Sequence, residues 1–257
     1  MSDTPEIIRP ALEMRGVSVS AIRDQNTVLL NDVNWTVMPG DFWVIGGLQG
    51  SGKTDFLLLA GGLMAPLAGS YQFLGETMPI FEEERLRERL KLGLVFDGGQ
   101  LFNHLTVSEN IALPLRYHRN LSAAQAKSEV QKLLEQTDLA PWADSTPGAI
   151  GRNWQKRVGL ARALVLRPEV LLLDNPLTGL DLRHRAWWLN FLGELSRGHD
   201  WMEGRAVTVI ATADDLRPWW KRAKQFALLK DKQFVTLGSW EQVENTNLEQ
   251  VQELMTR

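Results

Sequence analysis

Cysteine is absent from this 257-residue chain, which excludes disulfides, zinc thiolate sites and thiol chemistry and fits a reducing compartment, the cytoplasm by default. An excess of basic charge is also missing. The 28 Lys+Arg stand against 31 Asp+Glu, a formal net charge of -3, so no bulk field gathers nucleic acid and none is expected as a partner. Long apolar runs are lacking: Phe56 to Gly69 has about 14 residues, interrupted by Gly61, Gly62 and Pro66, against the ~20 that a spanning helix needs. Any membrane role is therefore expected to be peripheral. Met1 to Pro10 carries early acidic residues and no apolar run behind a basic start, unlike a secretory leader. With 44% hydrophobic and 23% charged residues, the composition excludes disorder and collagen-like order.

Along the chain, apolar alternation in Val17, Val19, Val33, Trp35 and Val37, punctuated by Asp24-Gln25-Asn26 and Pro39-Gly40, predicts antiparallel strands between Leu12 and Trp43. Apolar segments ending near Ile45, Phe96, Asp174 and Thr212 alternate with helical-period stretches, which predicts parallel strands joined by crossovers. From Gly98 to Leu164 no strand-like run occurs, while Leu121 to Leu139 and Gln155 to Leu164 read as amphipathic helices. Gln225 to Gly238 predicts two short strands about a Lys230-Asp231-Lys232 turn, followed by a polar helix from about Asn247. The mixed-sign run Glu82 to Arg89 reads as a solvated helix face.

Gly47-Leu48-Gln49-Gly50-Ser51-Gly52-Lys53-Thr54 fits the phosphate-loop pattern GxxxxGK[ST] without a mismatch, between strand-like Phe42 to Ile45 and helical Asp55 to Ala60. Glycines let successive backbone amides turn inward around a phosphate. Lys53 places a positive charge at the β and γ oxygens, and Thr54 offers a hydroxyl to Mg²⁺. ATP and Mg are the expected ligands.

Further segments, together with this loop, make the chain from Leu12 to Gln242 resemble the nucleotide-binding subunit of ATP-binding cassette (ABC) transporters. They are Leu94-Val95-Phe96-Asp97 with Leu101-Phe102 and Leu105 to Asn110, then Gln155 to Leu164, Leu171 to Pro176, and Thr178-Gly179-Leu180-Asp181. Within the family, Asn110 to Arg116 resembles bacterial importer and lipid-transporter subunits, notably those of intermembrane phospholipid traffic. The resemblance implies an α/β fold: a P-loop NTPase parallel-sheet core with an N-terminal antiparallel β-subdomain and an inserted helical subdomain. The expected division is one domain over 1–257, with the core and β-subdomain in 1–97 and 165–257 and the helical subdomain in 98–164.

The resemblance also shows where the chain departs from its family. At the LSGGQ signature it reads Ile150-Gly151-Arg152-Asn153-Trp154, so side chains stand where glycine amides approach the γ-phosphate bound by a second cassette. Arg152 either replaces those amides with a guanidinium or blocks closure. Asp174 matches the Mg²⁺-site carboxylate, expected to act through water. Asn175 matches the catalytic glutamate, and an amide cannot take a proton from water. Ala213 matches the switch histidine, while His104, His118, His184 and His199 all lie in other segments. Asp97 replaces the Q-loop glutamine and would repel a γ-phosphate unless a cation lies between; it could instead bind Mg²⁺ or serve as a displaced base. Ala21 or Ile22 falls where an adenine-stacking aromatic usually sits.

No catalytic position is thus expected to be intact at Asp97, Asn175 and Ala213. The expected activity is Mg-ATP binding with impaired or absent hydrolysis, beside a second cassette (a heterodimer in preference to a homodimer) and an integral membrane permease, on the cytoplasmic face of the membrane. An ATPase using Asp97 or partner residues, and a soluble non-transport ABC protein, are the alternatives. Two tryptophan doublets, Trp187-Trp188 and Trp219-Trp220, fall near segments that in the family lie close to the dimer partner or the C-terminal edge, and Trp187-Trp188 is expected to be one core and one half-exposed residue of an amphipathic helix, or else to contact a partner. Leu101, Phe102 and Leu105 are expected either to dock the permease or to be core.

Overall fold

A computed structural model describes residues 9–78 and 85–256. Most of the Met1 to Pro10 segment and residues 82–84 of the charge run lie outside the described residues. Four strands pair antiparallel in the order β2-β1-β4-β5: β1 (Leu12–Ala21), β2 (Asp24–Val37), β4 (Ala68–Phe73) and β5 (Glu76–Thr77). The β1–β2 turn lies at Ile22-Arg23, so Asp24-Gln25-Asn26 opens β2 instead of forming the turn.

The second sheet has six strands in the order β10-β9-β3-β8-β7-β6, with β3 (Phe42–Gly46), β6 (Leu92–Val95), β7 (Val170–Leu173), β8 (Thr208–Ala213) and β9 (Gln225–Lys230) mutually parallel. Antiparallel β10 (Gln233–Gly238) closes one edge through the two-residue turn Asp231-Lys232, where both residues have positive φ as a tight hairpin requires. All residues of β3 and β7 are buried because the parallel sheet is covered on both faces, which is why these strands read as unbroken apolar runs. Side-chain alternation sends Phe42, Val44, Leu171, Leu173, Val209 and Ala211 to one core, and Trp43, Ile45, Val170, Leu172 and Ile210 to the other. The second core joins the sheet to β1, β2 and α1 (Lys53–Ala60).

The short α2 (Leu86–Arg89) ends the charge run ahead of β6, and between β6 and β7 the chain is helical: α3 (Val107–His118), α4 (Ala123–Gln136) and α5 (Arg152–Leu164). The periodicity reading missed α3, which contains Pro114 yet starts on a capping box between Thr106 and Glu109. Arg152 opens α5 three residues before the expected Gln155, with Gly151 as its N-cap. The crossover after β7 is α6 (Leu182–Leu195), and α7 (Trp240–Glu244) and α8 (Glu249–Thr256) end the chain.

Both tryptophan doublets split into one buried and one more exposed ring. Trp188 and Trp219 are in the core, Trp187 is half-buried and stacked on Phe191, and Trp220 is exposed. Each fully buried large apolar side chain contributes ~1.5–3 kcal/mol relative to exposure. Phe102 is 48% exposed, so it is not a core residue. Its backbone is nevertheless fixed, because the buried Asn110 side chain accepts from the Phe102 N–H at 2.9 Å and donates to the carbonyls of Phe102, Leu105 and Thr106.

Candidate functional site

The carboxyl end of β3 opens into Gly47–Thr54 and then into α1, so the loop's position is set by a buried strand on one side and a buried helix on the other. Gly50 and Gly52 have φ of 82° and 87°, the left-handed region that side chains disfavour, and a Cβ at Gly47 would run into Ser51 Oγ. These glycines let the chain turn back over the helix start, whose first amides have no intrahelical acceptor. The buried Ser51 hydroxyl has no partner among the described residues. Lys53 is largely buried, and its Nζ donates to the carbonyls of Gly47 and Leu48 at 2.6 and 2.9 Å.

Around the loop lies a pocket of about 750 Å³, lined by Ala21 to Arg23, Leu29, Gln49, Gly50, Gly52 to Asp55, Asp97, Asp174, Asn175, Thr178 and Asp214. Asp55 in the first turn of α1 accepts from the Ile22 N–H at 2.8 Å and so ties the β1–β2 turn to the loop. No aromatic side chain lines the pocket among the described residues, as expected from Ala21 and Ile22.

At the sheet's end, the Thr54 hydroxyl donates to Asp174 Oδ2 at 2.9 Å, and the Thr212 hydroxyl donates to Asp174 Oδ1 at 3.1 Å. A hydroxyl and a carboxylate thus present hard oxygens side by side, a donor set suited to Mg²⁺. Burial pushes the Asp174 carboxyl above the ordinary aspartate range, a rise opposed by these two hydrogen bonds and reinforced by Asp97. A bound dication would favour the ionised form.

Opposite the loop, each expected reacting group is already engaged. Asp97 Oδ1 lies 2.7 Å from Lys156 Nζ, a buried ammonium that also donates to the Thr178 carbonyl at 2.6 Å. The cation needed to offset Asp97 is therefore a lysine of α5. Asn175 has φ of 45°, a conformation that Asn tolerates better than most residues; its N–H donates to Thr212 Oγ1 and its Nδ2 to Asp214 Oδ2 at 2.6 Å. Asp214 Oδ1 is 3.0 Å from Lys53 Nζ. Ala213 is buried with Val209 and Ala211 in the core, so the side chain brought beside Lys53 belongs to the next residue.

The signature segment lies at the start of α5, outside this pocket's lining. Ile150 is buried, Gly151 and Arg152 are exposed, and Asn153 Nδ2 donates to Asp181 Oδ2 at 2.9 Å. Trp154 faces the buried Arg157, whose guanidinium also lies 3.7 Å from the Trp187 ring centroid and contacts Asp138 and His184. No histidine lines the pocket among the described residues. Asp214 and Lys156 were not singled out from sequence. The strand parity of β8 was a signal for the first, since it turns Ala213 into the core; nothing local marked the second.

Residues 30–178 match the family described as ABC transporter. The intermembrane phospholipid transport system ATP-binding protein MlaF of Escherichia coli K12 is 31% identical over 229 residues, covering 89% of this chain and 82% of MlaF. The spermidine/putrescine import ATP-binding protein PotA of Trichodesmium erythraeum is 34% identical over 211 residues, which span 82% of this chain and 52% of that relative. Among solved structures, the ATP-binding cassette MJ0796, a dimer bound to ADP and Pi in a post-hydrolysis state, superposes with a TM-score of 0.77 at 25% identity, covering 89% of this chain and 100% of that one.

Proposed function

This chain belongs to the ABC transporter family, as an ATP-binding subunit with the P-loop NTPase fold, and from that premise we propose that it binds Mg-ATP while hydrolysing it weakly or not at all. One observation carries the proposal: the loop wall of the pocket is complete, whereas the facing wall holds no unpaired base. Gly47–Thr54 would hold the phosphates, and Thr54 with Asp174 would hold Mg²⁺, the latter through water; the cation would supply charge neutralisation between phosphate oxygens. Asn175 has an amide where a general base is needed, and loss of such a base lowers rates by ~10²- to 10⁴-fold. Asp97 is a poor substitute because its carboxylate pairs with Lys156 at 2.7 Å.

The proposed assembly sets this cassette beside a second one and against an integral membrane permease, on the cytoplasmic face. A heterodimer is preferred, because in a homodimer both composite sites would combine Asn175 with the altered segment Ile150 to Trp154. Among the described residues no helix is long and apolar enough to cross a membrane. The likeness to MlaF over 89% of this chain supports a phospholipid cargo. The docking surface is assigned to the helical insert around Leu101, Phe102 and Leu105, where the phenyl ring is exposed on a backbone pinned by Asn110.

Co-expression with a permease and a second cassette from the same source tests this assembly. One copy of this chain per transporter, resolved by native mass spectrometry, is expected; two copies would make it a homodimer. Phe102→Asp is expected to release the subunit from the permease while moving the melting temperature of the isolated chain by less than about 2 °C. Retention of the variant in the complex would overturn the docking assignment.

A further inference from the structure

The three protons of the Lys53 ammonium have three acceptors at hand: the Gly47 and Leu48 carbonyls and Asp214 Oδ1. In a phosphate loop this lysine supplies charge to the β and γ oxygens. We propose that Asp214 takes the place of a terminal phosphate at Lys53, so that the site prefers a nucleoside diphosphate to the corresponding triphosphate. The inference rests on the reading of Gly47–Thr54 as a nucleotide site and adds a specificity-determining residue to it.

Asp214 presents two negative oxygens in a fixed fork. One faces Lys53 at 3.0 Å and the other accepts from Asn175 Nδ2 at 2.6 Å. Asn175 is itself anchored through its backbone N–H to Thr212 Oγ1 at 2.9 Å. The same wall carries a second closed pair, Asp97 with Lys156, so both buried ammonium groups near the pocket are matched by carboxylates of the chain. A terminal phosphate entering here would have to compete with Asp214 for Lys53 and would meet the Asp214 carboxylate in a partly desolvated site.

A diphosphate makes smaller demands. The loop amides and the N-terminus of α1 would hold its phosphates without a contact from Asp214, and Thr54 with Asp174 would hold the accompanying cation. Asp214 has a side chain 44% exposed, so it can swing into water when displaced; triphosphate binding is weakened, not forbidden. Asn175 belongs to the same device. Its amide donates to Asp214, whereas a glutamate at that position would set two carboxylates against one another.

Calorimetric titration of the full chain with Mg-ADP and Mg-ATP tests the inference directly. Wild type is expected to bind Mg-ADP at least about tenfold more tightly than Mg-ATP, and Asp214→Asn to shift that ratio at least about tenfold toward ATP. Equal wild-type affinities would overturn the role of Asp214 while leaving the nucleotide site intact, and so would an unchanged ratio in Asp214→Asn. Binding of neither nucleotide to wild type would instead overturn the underlying reading of the loop. The wild-type ratio needs no variant, so a misfolded substitution leaves the proposal exposed to refutation.

Discussion

The two walls of the pocket use polar groups in opposite ways. On the loop wall, Gly50, Gly52 and Thr54 line the cavity with backbone and hydroxyl groups held in place by the covalent neighbours β3 and α1. On the facing wall, Asp97, Asn175 and Asp214 come from separate segments and are committed to Lys156, to one another and to Lys53. The first arrangement keeps its groups within one covalent turn and leaves the Ser51 hydroxyl without a partner among the described residues. The second pairs its charges internally. On the proposed reading, binding and hydrolysis separate along the chain: one eight-residue segment would support the former, while the latter would need several distant groups to change together.

The largest effect is expected from Lys53→Ala, which removes the charge from the loop wall and its own brace on the Gly47 and Leu48 carbonyls. Nucleotide affinity should fall by at least about 100-fold in calorimetric titration, in line with loss of charge-assisted hydrogen bonds. Unchanged affinity would remove the contrast between the walls altogether.

Next comes an attempt to repair the facing wall. Phosphate release by the isolated chain should stay within about threefold of the Lys53→Ala control, and Asn175→Glu alone should gain less than about tenfold. A glutamate there would face Asp214, which now accepts from Asn175 at 2.6 Å, and would have to adopt positive φ. Asn175→Glu combined with Ala213→His and a rebuilt signature should gain more than the sum of the separate changes, because groups acting as a unit are non-additive. Robust release by the unmodified chain, absent from Lys53→Ala, would favour the Asp97-dependent ATPase.

A stability measurement probes whether internal pairing really holds that wall. Lys156→Met should lower the melting temperature by about 3–6 °C, corresponding to ~1–2 kcal/mol once the partial exposure of Asp97 is allowed for. The ammonium it removes serves both Asp97 and the Thr178 carbonyl. No loss of stability would mean that the pair is incidental.

The smallest effect lies behind the signature segment. Burial first, and then the neighbouring Arg157 charge, hold the His184 imidazole below the ordinary histidine range. The folded chain thus binds this proton less readily than the unfolded one, so the contribution of His184 is present above the unfolded value of about 6.5 and is lost as pH falls through it. Between pH 8 and pH 5.5 the melting temperature of wild type should drop by about 1–3 °C more than that of His184→Gln. Equal drops would show that the proton is taken up elsewhere.

The phosphate loop was legible because its whole logic is local: strand, glycine turn, lysine and helix follow one another without a gap. The parallel strands β3 and β7 were legible for a related reason, since burial on both faces leaves an apolar run. Helix α3 escaped the periodicity reading, although the Thr106 to Glu109 capping box marks its start. Trp187 and Trp188 were anticipated as one half-exposed and one core residue because adjacent positions on a helix point in different directions, and the structure separates them in that way. Asp214 was overlooked because matching position 213 to the family's histidine drew attention one residue too early.

What the sequence by itself determined is the α/β architecture, the strand, glycine loop and helix around Gly47–Thr54 and the residue types at Asp97, Asn175 and Ala213, since chemistry and short-range pattern are written in consecutive residues. Only the tertiary structure decided which charges would meet. The parity of β8 turned Ala213 inward and left Asp214 beside Lys53, and the packing of α5 brought Lys156 to Asp97 across 59 positions of chain. Electrostatic pairing depends on distance through space, falls steeply beyond contact in solvent and is blind to separation along the chain.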